Sequence, residues 1–143
     1  MIMNDNKVKY LLGIDGGGTK TEFLLCNSDG TEIRRLFLGG SNPVNKGVEN
    51  TFAVLGEGIA QICDGFDFSQ VSVFAGIAGA KSGENQRLIN EFLSRFGFAS
   101  FGCGSDIDLA LEAAISLPQT IQQTARRLTT SRFPKCPVAS TNL

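Results

Sequence analysis

The stretch GIDGGGTKTEF, residues 13–23, decides the fold. Four of its eleven residues are glycine, and they crowd around one aspartate, Asp15. Such a run is a candidate phosphate-binding loop, and the residues after the glycines separate the kinds. A Walker A loop has the pattern GxxxxGK[ST] and opens a helix. Gly13 and Gly18 have that spacing, but Thr19-Lys20 stand in reversed order. A dinucleotide-binding loop has GxGxxG and also opens a helix. Here the next residues alternate, with Thr21, Phe23 and Leu25 set against Glu22 and Leu24, as in a strand. The third kind sits at the tip of a hairpin between two strands. There the missing Cβ atoms let the backbone approach phosphate oxygens, and successive amides cradle the anion. The strand–turn–strand context favours this third kind.

Asp15 stands at the end of the first apolar run. A carboxylate beside bound phosphate suits Mg²⁺ held through waters. The plainer alternative is a tight hairpin whose Asp15 accepts backbone amides. Thr19 is placed to hydrogen-bond a terminal phosphate. Lys20 either supplies positive charge or points to solvent.

Working outward, Val8–Ile14 reads as a buried strand and Thr21–Cys26 as a second. Asp29-Gly30 is a hairpin signal, and Thr31–Leu38 is the third strand. After the loop GGSNPVN, the residues Val48, Phe52, Leu55, Ile59 and Ile62 fall three or four apart, predicting one helix over Gly47–Cys63 with Asn45 as its cap. Gly56 and Gly58 inside it cost about 1 kcal/mol each in helix propensity, so this helix should depend on close packing. Val71–Ala80 is a fourth strand entering a glycine–alanine loop. Ser82 caps a second helix striped by Leu88, Ile89, Phe92, Leu93 and Phe96, which Gly97 stops. Phe98–Cys103 is a fifth, weaker strand, and Asp106 opens a third helix, DIDLALEAAI. The predicted fold class is α/β, in the order β-β-β-α-β-α-β-α. Three antiparallel strands begin a mixed five-stranded sheet, helical crossovers extend it in parallel, and helices bury both faces.

Composition narrows the function. The 143-residue chain is 42% hydrophobic with a formal net charge of −1, which argues against a nucleic-acid binder that works by neutralising phosphates. Histidine is absent, removing the commonest catalytic base and the usual zinc sites. Cys26, Cys63, Cys103 and Cys136 form no CxxC pair and read as separate thiols in a reducing compartment. The opening residues resemble neither a signal peptide nor a membrane span, so a cytoplasmic, membrane-free protein is expected.

Taken in order, DGGGTKTEF, GGSNPVN, AGIAGA and GSDIDLAL resemble the N-acetylglucosamine kinases and the broader BadF/BadG/BcrA/BcrD-type ATPases of the actin–hexokinase–Hsp70 superfamily. The resemblance covers roughly Tyr10 to Ala114. It implies a ribonuclease-H-like lobe that binds ATP and Mg²⁺ and phosphorylates an amino sugar. On that resemblance Gly17, Gly18 and Thr19 touch the ATP phosphates, with Lys20 adjoining. Asn42 binds the amino sugar, with Gly79 and Ala80 near it. Asp106 is the catalytic base and also contacts the substrate. The chemistry of these residue types agrees: phosphoryl transfer needs positioning and charge neutralisation, and the acceptor hydroxyl benefits from a nearby carboxylate. Asp106 also suits a helix N-cap, and Asn42-Pro43 is a common loop pair, so simpler roles remain open for both. Asp108 reads as a first-turn charge that favours the helix dipole.

The pattern breaks near residue 118. Residues 1–118 hold nine basic and fourteen acidic residues, net −5, whereas 119–143 hold four basic residues and no acid. No glycine follows Gly104, so the GTGS-type second phosphate loop of the resembled family has no counterpart. The expectation is a kinase lobe over 1–118 and a basic, mostly irregular tail over 119–143, with a short helix around IQQTARRL at most, arising from a truncated or frame-shifted gene. Such a lobe should be inactive alone and should self-associate through the face its missing partner would cover. Two other functions compete: an ATPase that activates a dehydratase, and a non-catalytic remnant that binds sugar or a protein partner. The scattered cysteines do not favour the first of these.

Overall fold

A computed structural model of the chain describes residues 8–80, 83–106 and 123. The predicted third helix beyond Asp106, the tail apart from Gln123, Ser82, Asp108 and Cys136 lie outside the described residues. The sheet strands are β1 (Tyr10–Gly16), β2 (Lys20–Asn27), β3 (Glu32–Gly39), β4 (Val71–Ile77) and β5 (Ser100–Gly104). The helices are α1 (Pro43–Lys46), α2 (Val48–Ile62) and α3 (Gly83–Leu93). Sheet order is β3-β2-β1-β4-β5. β1 and β2 pair antiparallel, as do β2 and β3, while β4 and β5 add in parallel. This is the expected ribonuclease-H-like α/β architecture with a mixed five-stranded sheet. Among the described residues no helix is long and apolar enough to cross a membrane.

The centre of the sheet is apolar on both faces, which suits strands flanked by parallel neighbours. Leu12, Ile14, Phe23, Leu25, Val73 and Ala75 share one face and form a single core with Leu55, Ile59 and Ile62 of α2 and Ile89 and Leu93 of α3. Leu11, Leu24, Cys26 and Phe74 share the other face and are equally buried. Gly58 lies against Phe23 so closely that a Cβ there would run into the ring. The glycine that weakens α2 therefore seats it on the sheet. The buried stripe is rotated from the expected one: Thr51 and Gly58 lie in it, while Val48 and Phe52 are half-buried. Phe52 instead stacks on Phe92 of α3, with ring centroids 4.6 Å apart.

The region before α2 differs from expectation. The turn Pro43–Lys46 is a separate short helix, and Asn42, not Asn45, is a cap. Asn42 Oδ1 accepts from the Val44 N–H at 2.8 Å, and Pro43 supplies the preset φ of a first helical position. Gly47, at φ 92°, then turns the chain into α2. Gly97 ends the segment after α3 in the left-handed region, as expected.

The β2–β3 pairing slips between Leu25 and Cys26, where Ile33 is the extra residue of a bulge. Ile33 packs on the core, and Arg34 reaches over the end of α2. The Arg34 Nη1 donates to the carbonyls of Gln61, Ile62 and Asp64 at 2.9–3.2 Å, and its guanidinium lies 5.2 Å from the centre of the Phe66 ring. A cation at a helix C-terminus satisfies orphan carbonyls and the dipole together. Arg34→Ala is expected to cost about 2 kcal/mol in a urea unfolding experiment, and Arg34→Lys about half of it, because an ammonium keeps the charge at the helix end but lacks the planar group that lies over Phe66.

Cys26, Cys63 and Cys103 are buried and form no disulfide among the described residues. Burial pushes the Cys103 thiol up to about 12. It pushes Cys63 up to about 11, with Arg34 opposing part of the rise. An unfolded thiol titrates near 8.5. Both groups therefore hold their stabilising neutral form fully below that pH, and the contribution is lost as pH climbs through the folded values. The urea midpoint should fall above about pH 9, and Cys103→Ala should flatten that alkaline limb.

Candidate functional site

The site assembles at one end of the sheet from three loops. The first is the glycine turn between β1 and β2. Gly16 pairs with Thr21, and the Gly17 N–H donates to the Lys20 carbonyl at 2.8 Å, closing a hairpin. Chain direction reverses within the turn and β2 starts at Lys20, so no helix follows the glycines. Gly18 and Thr19 sit exposed at the tip, and their amides take no hydrogen bond among the described residues. Two adjacent, exposed, unoccupied donors form the kind of backbone surface that accepts an anion.

The second loop, Gly39–Asn42, locks onto the first. The Ser41 N–H donates to the Gly17 carbonyl at 3.0 Å. Gly40 comes so close to the Gly18 carbonyl that any side chain at Gly40 would collide with it. Beneath lies a buried polar cluster. The Thr21 hydroxyl is 2.8 Å from both the Gly39 carbonyl and the Ser41 hydroxyl. A carbonyl only accepts, so Thr21 gives it the proton and receives the Ser41 hydroxyl proton in turn. The Thr51 hydroxyl donates to the Ser41 carbonyl at 2.7 Å, and Asn50 Nδ2 donates to the Gly40 carbonyl at 3.0 Å. Thr21, Ser41 and Thr51 are each fully buried, so losing one partner would strand another without water.

The third loop follows β4. The Ala78 N–H donates to the Gly16 carbonyl at 2.8 Å, tying it to the glycine turn. Gly79, at φ 90°, lies against Asn42 Oδ1, where a Cβ would clash. Asn42 and Gly79, both expected near substrate, are thus neighbours. Ala80 is buried in the core, so its methyl supports this loop from beneath. Asn42 performs the capping role as well, since Oδ1 is engaged by Val44.

The carboxylates lie on the sheet itself. Asp15 is the penultimate residue of β1, half-buried, in register with Glu22 on one side and Gly76 on the other. Gly76 is in register with Gly104 of β5, and Asp106 lies two residues further, exposed. Neighbouring strands are about 4.8 Å apart, so Asp15 and Gly104 are separated by about 10 Å. Neither glycine places a side chain between the two acids. Both acids stand at the carboxyl ends of parallel strands, where α/β folds place their sites. No group of three or more His, Cys, Asp or Glu among the described residues is arranged to hold a metal. A divalent ion here would rest on Asp15, water and phosphate oxygens, as Mg²⁺ commonly does. The Lys20 ammonium lies over the Phe37 ring, 5.3 Å from its centre.

Thr21, Ser41, Asn50 and Thr51 belong to the site although nothing in the sequence marks them as functional. Ser41 lies inside the GGSNPVN loop, and Thr51 is a polar residue in an otherwise apolar helical stripe. Those are the available signals.

No family model matches the chain. It is 27% identical over 113 residues to an N-acetylmuramic acid/N-acetylglucosamine kinase of Clostridium acetobutylicum, an alignment that takes in 76% of this chain and 37% of that protein. It also matches the crystal structure of a Chromobacterium violaceum protein provisionally designated an N-acetylglucosamine kinase. That match has 30% identity and a TM-score of 0.51, over 69% of this chain and 35% of the other. The chain spans little more than a third of the length of either relative. Sequence and fold together therefore give it a distant, partial similarity to sugar kinases and a sugar-kinase-like lobe of the actin–hexokinase–Hsp70 superfamily.

Proposed function

We propose that the chain forms the N-terminal lobe of an ATP-dependent amino-sugar kinase acting on an N-acetylglucosamine-like acceptor. The observation that supports this best is the locking of the glycine turn, the Gly39–Asn42 loop and the Ala78–Ala80 loop onto one another at the carboxyl end of the sheet. In this reading Gly17, Gly18 and Thr19 face the nucleotide phosphates, and Lys20 adds charge beside them. Asn42 hydrogen-bonds the amino sugar next to Gly79 and Ala80. Asp106 takes the proton of the acceptor hydroxyl as its oxygen bonds to the phosphoryl group and ADP departs. When bound, Mg²⁺ would neutralise phosphate charge near Asp15. The residues of this chain bind, orient and accept a proton, and they form one wall of the cleft.

A cleft kinase gains its rate by enclosing both substrates and excluding water. A polypeptide of these 143 residues alone is therefore expected to bind ligands weakly and to show no phosphoryl transfer. Calorimetric titration with Mg-ATP and with N-acetylglucosamine separately tests the binding. Asn42→Ala should abolish the sugar heat and leave the Mg-ATP heat intact. If neither ligand binds the parent chain, the reading fails. Robust turnover by the chain alone would contradict the half-cleft argument.

A further inference from the structure

The sequence suggests Asn45 as a helix cap, and the structure gives it a different place. It sits on α1, three residues beyond Asn42, the cap of that turn. Asn42 abuts Gly79, whereas Asn45 stands at the glycine turn: its Nδ2 is 3.2 Å from where a Cβ on Gly18 would lie. The Asn45 side chain is exposed and takes no hydrogen bond among the described residues, its backbone N–H alone being engaged, by the Asn42 carbonyl at 3.2 Å. Its position is nevertheless held firmly. Asn42 caps α1, Gly40 is pressed against the Gly18 carbonyl, and Ser41 is bonded to Thr21, Thr51 and Gly17. An unpaired carboxamide donor thus stands beside the two unpaired amides of Gly18 and Thr19.

We propose that Asn45 is a phosphate-binding residue of this site, donating Nδ2–H to a terminal phosphate oxygen of a nucleoside triphosphate seated on the glycine turn. The inference rests on the reading of that turn as a nucleotide site. It adds a donor from the short helix that Asn42 caps, so α1 and its cap bridge the phosphate and the acceptor. A neutral amide suits this position. It donates to the anion, and unlike the nearby Lys20 it is not drawn away to an aromatic ring.

The test is a titration of the ¹⁵N-labelled full chain with Mg-ATP, Mg-ADP and inorganic phosphate, followed through backbone and side-chain amide signals. Backbone amides of Gly18 and Thr19 should shift with Mg-ATP, and the Asn45 side-chain NH₂ pair should shift with them, more with Mg-ATP than with Mg-ADP. Asn45→Ala should weaken Mg-ATP binding about tenfold, the effect of losing one hydrogen bond to a charged group. It should leave Mg-ADP binding and the melting temperature unchanged. Asn45→Asp, which puts a carboxylate against phosphate, should weaken Mg-ATP binding further. Should the turn amides shift while the Asn45 NH₂ stays still and Asn45→Ala binds like the parent, this proposal is overturned and the nucleotide site stands. Should the turn amides stay still with every ligand, the site reading falls, and this proposal with it.

Discussion

Phe23→Ala is expected to cost about 3–5 kcal/mol, enough to leave much of the protein unfolded at room temperature, since small domains hold only about 5–15 kcal/mol in total. Phe23 is wholly buried at the centre of β2, on the face where β1, β4, α2 and α3 meet. Its ring fills the space that Gly58 leaves open, so the two positions form one packing unit. Truncating the ring leaves a cavity that α2 cannot close without shifting along its length. Urea unfolding followed by circular dichroism would measure the loss. The complementary change, Gly58→Leu, forces a side chain into the ring and should destabilise by about 1–3 kcal/mol. The double substitution Phe23→Ala with Gly58→Leu should recover part of the loss, because residues in contact do not add independently. Simple additivity of the two single changes would show that Gly58 does not seat the helix on Phe23.

Gly40→Val is expected to abolish ligand binding at the candidate site while sparing most of the core. A Cβ at Gly40 collides with the Gly18 carbonyl and comes within 3.1 Å of the Thr19 nitrogen, both backbone atoms that cannot rotate aside. The second loop must then move off the glycine turn. That breaks the Ser41-to-Gly17 bond and pulls on the buried Ser41–Thr21–Thr51 cluster. Calorimetry with Mg-ATP should show no heat for Gly40→Val, and the far-ultraviolet spectrum should stay that of the parent. Gly39→Ala is the control next door. Its Cβ meets nothing within 4 Å, and binding should persist. Equal loss in both variants would mean that the effect is general destabilisation of the loop and not the close approach at Gly40.

Much of this architecture is legible in the residues. Alternation in TEFLLC shows that a strand follows the glycines, and this excludes the helix-opening phosphate loops. Asp29-Gly30 marks the next hairpin: Gly30 has φ 96°, and the Thr31 N–H donates to Asp29 Oδ1 at 2.9 Å. These are local signals, because a glycine at positive φ or a two-residue period acts over a few residues and needs no distant partner. Helix spacing likewise locates α2 and α3 to within a few residues. The helix expected over Gly47–Cys63 is α2, but Asn45 does not cap it: Gly47 stands at its N-cap without a side-chain bond, and the loop before it winds into the extra turn α1, which Asn42 caps.

By itself the sequence determined that a glycine-rich hairpin heads a mixed sheet, that Asp15 and Gly79 stand near strand ends, that Asn42 lies in a loop and that Asp106 stands where a helix is expected to open. Only the tertiary structure decided which of these meet. Asn42 touches Gly79 although they are distant in the chain, Gly40 presses on Gly18, and Asn45 arrives beside the phosphate turn. The bulge that sends Arg34 to the end of α2 was equally invisible beforehand. The physical reason is range. Hydrogen bonding and torsional preference within a strand or turn are settled by neighbouring residues. The buried hydroxyl cluster of Thr21, Ser41 and Thr51 and the glycine contacts exist only once separate elements are packed to van der Waals distance.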